Sequence, residues 1–493
     1  MSRQREVIGQ AGFYSAAMVL TQLVTAIAAL LTRRFLGPVQ VGLWSLVQLV
    51  LIYSEYAALG TTAAIEREIP FQIGRGDIQK ANEIRDTVLT FTWVSAAVYS
   101  FLISFAAYII WTAGKIENEA FFALLLTALL VMFQRWNTLL ISLGRAKKEF
   151  KLMGKQAFYS ALVNAFLVAT LSYFFKLYGF MLAMGFSLAF NIFYLSKRLD
   201  SGFKFQWSTS KIKTLARYGI PVLALGYLTT GLETVDRLMI SKFLGLKELG
   251  LYSIASMAAT YVFSFPNAVG VVMMPNIHEH FGETGSMESM RSFLRKADTL
   301  FCGIMPMFIA FAWFTAPPMI LWALPNFAGG IPALKMLILG SFFLSLSQSY
   351  AHLIFVVKMH ARLIPIVAVA CLLAFVLNLW AIQAGSGIAG VAMATSFSMF
   401  VYFSAIFVYA QTHLKSGPEA FQRYFYALGC FAGMVCLLFV IERLVRLDNL
   451  ALEALARLSL FFLCWSPLLF QLNRRFELWD ILKKKLFMKR VPV

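Results

Sequence analysis

Ionisable side chains stand inside long apolar runs of this sequence at Glu55, Arg135, Glu233, Asp236 and Arg237, and His352 ends a row of hydroxyls and an amide. A buried guanidinium suits phosphate oxygens, which its planar fork holds two at a time. Carboxyls and an imidazole in such places suit uptake and release of protons or cations, because burial disfavours their charged forms. Bond-breaking chemistry has no matching motif: there is no GxxxxGK[ST], no HExxH and no nucleophile elbow. His278-Glu279-His280 looks metal-like, but side chains at i and i+2 of a helix diverge, and an inner-surface loop is the expectation. No metal and no cofactor is expected. The five cysteines (302, 371, 430, 436, 464) lie in apolar stretches without a CxxC and read as reduced packing residues.

The elements that position these groups must be dissolved in lipid. Of 493 residues, 60% are hydrophobic and 14% charged, and the mean hydropathy is +0.72. Water would not tolerate that much apolar surface, which excludes a soluble enzyme, a disordered chain and a secreted disulfide scaffold. The net charge of +19 would suggest nucleic acid in a soluble protein. In a polytopic membrane protein it reflects cytoplasmic segments rich in Lys and Arg, so no nucleic-acid partner is expected.

A crossing takes about 20 mostly apolar residues. That window gives fourteen spans, near 10–32, 41–63, 87–111, 120–143, 156–175, 179–196, 218–241, 250–276, 298–324, 336–357, 363–384, 387–410, 424–442 and 450–472. Lipid offers the backbone no partners, so each span is expected to be a helix. With the N-terminus inside, inner segments hold 31 Lys and Arg and outer segments 9, which places both termini in the cytoplasm. The tail Lys483-Lys484-Lys485 with Lys489 and Arg490 reads as an anchor at anionic lipid. The longest connections, 64–86, 197–217 and 277–297, are inner loops on this reading, too short to be domains. No cleavable signal peptide is expected, because residues 1–10 run straight into a full-length apolar segment.

Spacing sorts the polar side chains onto faces. Span 2 carries Ser45, Gln48 and a mid-span Glu55 at steps of 3 and 7, either a proton or cavity site or a structural bond to a neighbouring helix. Span 7 places Thr230, Glu233 and Arg237 together with Asp236 beside them. Glu233 and Arg237, at i and i+4 with the acid first, either neutralise each other or face a cavity. In span 4 Arg135 shares a face with Thr138 and Ser142; it meets substrate phosphates or snorkels to the inner surface. Arg33 and Arg34 close span 1 beyond Gln22 and Thr25, to receive a phosphate on the exit side or to anchor the helix. Span 10 aligns Ser341, Ser345, Gln348 and His352.

An internal repeat organises the spans. RFLGPVQVGLWSLV at 34–47 lines up with KFLGLKELGLYSIA at 242–255, an offset of 208. YGFMLAMGFS at 178–187 matches AGVAMATSFS at 389–398, and Asn164 answers Asn378. Ordered offsets of similar size indicate a duplicated six-span unit. Six is even, so the copies share orientation and form a parallel repeat about the membrane normal. The expected parts are an N-terminal lobe at 1–204, a C-terminal lobe at 205–412, and two extra helices with the basic tail at 413–493.

The same residues carry a family resemblance. Tyr218-Gly219-Ile220-Pro221, then Val235-Asp236-Arg237-Leu238-Met239-Ile240, Phe243-Leu244-Gly245 and Gly250-Leu251-Tyr252-Ser253 resemble the polysaccharide flippase family of the multidrug/oligosaccharidyl-lipid/polysaccharide exporter superfamily. Leu36-Gly37-Pro38 with Gly42-Leu43-Trp44, and Leu59-Gly60 with Ala64-Ile65-Glu66-Arg67-Glu68, resemble its first-lobe signatures. The resemblance implies an all-α polytopic membrane protein of two six-helix lobes around a central cavity. It implies a transporter of undecaprenyl-diphosphate-linked oligosaccharide, not an enzyme, in the cell inner membrane among membrane lipids. Its partners would be a polysaccharide polymerase or chain-length machinery, and the protein itself a monomer. Spans 13 and 14 are extra to the unit, as in the related peptidoglycan-precursor flippases. That keeps a lipid II flippase open, beside a multidrug antiporter and an integral-membrane glycosyltransferase or polymer ligase. On this reading Arg33, Arg34, Gln48, Arg135, Gln348 and His352 bind substrate, and Glu55, Glu233, Asp236 and Arg237 couple ions or line the cavity.

Overall fold

A computed structural model describes residues 2–147, 149–199, 204–284, 288, 290–357, 359–414 and 417–476. Within them the side chains of 2–19, 63–64, 66–67, 218, 221–222, 271–276, 278–280, 282–284, 360 and 471–476 are outside the description. All regular secondary structure among the described residues is helical, without a strand. In chain order they form α1 (Ser2–Ser54), α2 (Thr61–Gly74), α3 (Ile78–Thr112), α4 (Asn118–Ala146), α5 (Phe150–Ser196), α6 (Thr209–Phe243) and α7 (Leu246–Thr284). Then follow α8 (Met290–Ala323), α9 (Ile331–Val356), α10 (Leu363–Gln383), α11 (Gly387–Leu414), α12 (Pro418–Leu444) and α13 (Leu450–Phe476). Ten of the helices are long and apolar enough to cross a membrane. This is a multi-pass membrane protein.

Two of these helices are each a pair. α1 breaks at Gly37 (φ 71, ψ 174), ahead of Pro38, and α5 breaks at Lys176 (φ 47, ψ −123). The breaks fall where the sequence separates spans 1 from 2 and 5 from 6. Glycine adopts that backbone without a Cβ clash, and the following proline supplies no N–H to continue the ladder.

Span 2 ends earlier than hydropathy suggests. The helix stops at Ser54, Glu55–Ala58 form a 3-10 turn, and Leu59 (φ 49) and Gly60 (φ 73) are left-handed. Glu55 therefore starts a turn and is not the middle of a helix. Apolar composition runs on to Gly60 but is silent about backbone conformation there. The expected inner loops are also largely helical: α2 and the start of α3 occupy most of 64–86, α6 begins at Thr209, and α7 runs through Thr284. His278, Glu279 and His280 thus sit on α7, their side chains outside the description, as is the basic tail.

The chain groups into two compact units, Met1–Thr230 and Gly231–Val493. In the first, α1 packs along α5, α3 along α4, and α2 against both α3 and α4. Ile65, Val88, Leu139, Leu140 and Leu195 are buried at that junction. In the second, α9 is the hub, packed by α7, α8 and α11, with α12 and α13 laid on α8. Small residues let these helices approach. A Cβ on Gly340 of α9 would stand 2.7 Å from the Ser396 Oγ of α11. Among the cysteines, Cys302 and Cys430 are buried, whereas Cys436 and Cys464 are exposed on the protein surface and are not packing residues.

Gly60 and Gly219 explain one another. A Cβ on Gly60 would lie 2.7 Å from Gly219 Cα, and one on Gly219 would lie 2.8 Å from the Leu59 carbonyl oxygen. Both obstacles are backbone and cannot swing aside. Gly219→Ala should therefore cost about 1–3 kcal/mol, read as a lowered thermal midpoint of the detergent-purified protein. Gly429→Ala is the comparison, with nothing within 4 Å of the new Cβ; helix propensity favours alanine there. Equal midpoints for wild type and Gly219→Ala would refute the backbone contact.

Candidate functional site

In the first unit, Arg135 is brought from α4 to the turn that closes α1. Its side chain is 4% exposed, and Nη1 lies 3.9 Å from Glu55 Oε1, whose carboxylate is 52% exposed. Nε and Nη1 make no hydrogen bond among the described residues. A guanidinium cannot shed its charge, and desolvated donors without acceptors are costly. The site is thus a buried cation with a distant, half-solvated counter-ion, and its unbonded N–H groups have the chemistry to receive an anion that accepts two hydrogen bonds. The face-mates of Arg135 do not supply it. Thr138 Oγ1 donates to the Gln134 carbonyl at 2.9 Å, and Ser142 is buried. Nor does Glu55 share a helical face with Ser45, which is spent on the Val41 carbonyl at 2.8 Å; Gln48 is half-buried on the helix before the turn.

Tyrosines surround the same turn. Tyr53 and Tyr56 meet Tyr227 with ring centroids 5.2 and 5.3 Å apart, and Tyr56 Oη donates to the Gly226 carbonyl at 2.9 Å. Rings with a polar tip present both an apolar face and a hydrogen-bonding edge, the pair of surfaces a sugar offers. Spacing did not reveal this cluster, because its members are about 170 residues apart. A polar cavity of about 410 Å³ also opens within this unit, between Asn137, Gln156, Ser160, Asn164 and Asn191. Gln156 Nε2 donates to Asn191 Oδ1 at 3.0 Å, and Asn191 Nδ2 to Ser160 Oγ at 2.8 Å. Gln156, Ser160 and Asn164 at steps of four were the missed signal. Arg33 Nη1 donates to its own helix at the Ala29 carbonyl, 3.1 Å, and Arg34 is exposed.

The second unit has its own polar cavity, about 320 Å³, between α6, α7, α9 and α11. Glu233, Asp236 and Arg237 line it together with Asn267 and Ser341. Asp236 is buried; it accepts from Tyr252 Oη at 2.5 Å and from the Arg237 backbone N–H at 2.7 Å. Arg237 Nε has no hydrogen-bond partner among the described residues, and Glu233 and Arg237 line the same cavity. Deeper in the unit, Thr395 Oγ1 reaches Asn378 Oδ1 at 3.4 Å, and both are buried. Tyr252 and Asn378 stood in the sequence only as motif and repeat markers.

The α9 stripe is divided in two. Ser341 faces this cavity, while Ser345 turns its hydroxyl to the Phe342 carbonyl at 2.6 Å. Gln348 Nε2 donates to Asn267 Oδ1 at 2.8 Å. His352 lies against Gly270 of α7, where a Cβ would meet its Cε1 at 2.7 Å, and its Nδ1 has no partner among the described residues. A second buried carboxyl, Asp298, accepts from Tyr350, and no group of metal-binding side chains occurs among the described residues.

Comparisons with known proteins agree with this architecture. The chain is similar to the lipid II flippase MurJ in an inward closed conformation, with 14% identity and a TM-score of 0.71 over 93% of this chain and 98% of that one. It is similar to a multidrug resistance MATE family transporter of the MOP superfamily, inward-facing, with 13% identity and a TM-score of 0.67 over 82% and 98%. The Vibrio cholerae MATE transporter VcmN in its bent form gives 16% and 0.58 over 85% and 100%. At such identities the likeness is one of fold, and the fold is that of the MATE and MurJ transporters. No curated protein sequence matches. A family model described as polysaccharide biosynthesis protein matches residues 34–326, which takes in the Gly37 break, Arg135 and the Asp236–Tyr252 pair. That is more than half of the sequence, and the chain belongs to this family of polysaccharide biosynthesis proteins.

Proposed function

We propose that the protein is a flippase, moving an undecaprenyl-diphosphate-linked oligosaccharide from the cytoplasmic to the outer leaflet of the inner membrane by alternating access of two lobes. The observation that carries the reading is Arg135, a buried guanidinium with two unbonded nitrogens and a counter-ion 3.9 Å away. A diphosphate offers the acceptors it needs, and the adjacent tyrosines suit the sugars. The lipid tail stays in the bilayer while the headgroup crosses about 30 Å of hydrocarbon. Each negative charge moving outward across 100 mV is favoured by about 2.3 kcal/mol. Ion coupling through Glu55, Glu233, Asp236 or Arg237 would then reset the carrier and is not needed for direction. Arg33 and Arg34 receive the diphosphate at the exit, with Gln48, Gln348 and His352 along the path.

Depleting the protein from cells and identifying the glycolipid that accumulates in the inner leaflet tests this directly. An oligosaccharide repeat on a diphosphate lipid is the expected result. Accumulation of lipid II would instead select the second reading, a peptidoglycan-precursor flippase, which the extra pair α12–α13 favours. No accumulating glycolipid would refute both. A multidrug antiporter suits the cationic Arg135 site poorly, and a glycosyltransferase would want an outer loop with catalytic residues.

Orientation is tested separately. In a background without native cysteines, single cysteines at Lys151 and Lys213 should react from the cytoplasmic side and one at Lys115 from outside. All three positions are exposed. The opposite labelling pattern would overturn the topology.

A further inference from the structure

One charged pocket lies away from both cavities described above. It has a volume of about 450 Å³ and is built where the start of α9, the end of α8 and the α12–α13 connection meet, on Lys335, Glu442, Arg443, Arg446, Arg457 and Trp313. Its charges are not equivalent. Glu442 is fully engaged: Lys335 forms an ion pair with Oε1, and Trp313 Nε1 donates to Oε2 at 2.8 Å. The Lys335 ammonium also sits 5.0 Å over the Trp313 ring. Arg457 is spent on structure. It donates to the carbonyls of Glu442 (3.1 Å) and Val445 (2.9 Å), capping the open end of α12, and pairs with Glu453.

Two guanidiniums remain. Arg443 and Arg446 are exposed, line the same pocket, and neither forms an ion pair or hydrogen bond among the described residues. Glu442, next to Arg443 in sequence, is the acid already engaged, and Asp448, two positions beyond Arg446, bonds to neither. The pocket mouth therefore carries two uncompensated positive charges with fork-shaped donors, above a floor whose acid is already neutralised. Apolar surface begins immediately beside it: Leu444 is 74% exposed, Leu447 48%, Phe439 43% and Val440 44%. A free anion would have no use for that flank. A molecule with an anionic head and a hydrocarbon tail would cover both surfaces at once.

We infer that this pocket binds the phosphate headgroup of an anionic lipid, held by Arg443 and Arg446, with its chains along α12. The same chemistry belongs to inorganic phosphates and to phospholipids, and the apolar flank assigns it to the lipid. On the charge-bias orientation the pocket lies at the outer end of the helices. The inference does not depend on which glycolipid is transported. It also gives the α12–α13 pair a role of its own, beyond the repeated unit.

The test is native mass spectrometry of the full-length protein released from detergent with defined additions. Phosphatidylglycerol should be retained, and Arg443→Gln/Arg446→Gln should weaken that retention at least about tenfold, the scale of losing one charge-assisted hydrogen bond. Lys242→Gln/Lys247→Gln removes as many exposed charges elsewhere in the unit and should bind like wild type. Phosphatidylcholine, with no net charge, should be retained weakly by every form. The single variant Arg446→Gln, on the exposed connection, should give a smaller loss in the same direction if the double variant folds poorly. Equal binding by the pocket and control variants, or equal retention of the two lipids, would overturn the site. Displacement of phosphatidylglycerol by stoichiometric inorganic pyrophosphate would overturn the assignment to a lipid.

Discussion

Arg135→Ala should lower transport of the lipid-linked glycan about a hundredfold at matched membrane abundance while leaving the fold as stable as wild type or more so. Two charge-assisted hydrogen bonds of about 1.5–3 kcal/mol each account for a loss of that size. The stability half of the expectation is what separates a binding role from a structural one. Removing a partner from a satisfied buried ion pair costs several kcal/mol, because the other charge is stranded. Here Nε and Nη1 have no hydrogen bond to lose, and Glu55 is half in solvent already. Deleting the guanidinium removes a desolvated charge and leaves no buried carboxylate behind. Arg135→Lys keeps the charge but not the planar fork, and should transport about tenfold below wild type, one bidentate contact being reduced to a single one. A lysine variant that performs like wild type, or an alanine variant that transports well, would sink the phosphate role. An alanine variant that unfolds would make Arg135 structural.

Glu55→Gln belongs to the same experiment. It removes the counter-charge and so should tighten binding of the diphosphate while slowing its release. A wild-type affinity and wild-type rate in Glu55→Gln would make the residue part of the turn only.

The second large effect is expected at Asp236. Asp236→Asn preserves shape, and its one amide oxygen can still accept from Tyr252 while the Arg237 N–H contact to the other oxygen is lost, a cost small enough for the protein to insert and remain folded. Its transport should fall at least about tenfold and lose its response to an imposed cation or proton gradient, whereas the wild-type rate should change with that gradient. Tyr252→Phe tests the support separately. It takes one donor from a buried carboxyl and should lower stability by about 1.5–3 kcal/mol, the value of a hydrogen bond to a charged group, seen as a lower thermal midpoint. A gradient response that survives in Asp236→Asn would show that the carboxyl does not couple an ion. An unchanged midpoint in Tyr252→Phe would remove the 2.5 Å contact from the energetics.

The helices were legible in the residues because lipid imposes a single strong rule. A backbone out of water must bond to itself, so a run of about 20 apolar residues is a helix whatever its neighbours. The breaks at Gly37 and Lys176 fell between spans for the same reason, since polar or flexible residues gather where the chain leaves hydrocarbon. Ser54 to Gly60 is where the rule is silent. Beyond Glu55 the stretch is mostly apolar, yet Gly60 must give its backbone to Gly219, and only the packed structure contains that demand.

What the sequence determined by itself is therefore the all-helical membrane class, the positions of most spans and the inventory of charges that lipid would not tolerate unassisted. Tertiary structure decided which of those charges meet. Arg135 and Glu55 are 80 positions apart, and Lys335 reaches Glu442 from a different helix across 107. On a water-soluble helix, one polar face would have pointed outward and one apolar face inward. A span bathed in hydrocarbon is apolar toward lipid and toward its neighbours alike, so its periodicity does not say which side faces the protein. That orientation is fixed by small residues and side-chain shape at helix contacts, and by which polar atom finds a partner once the helices are packed.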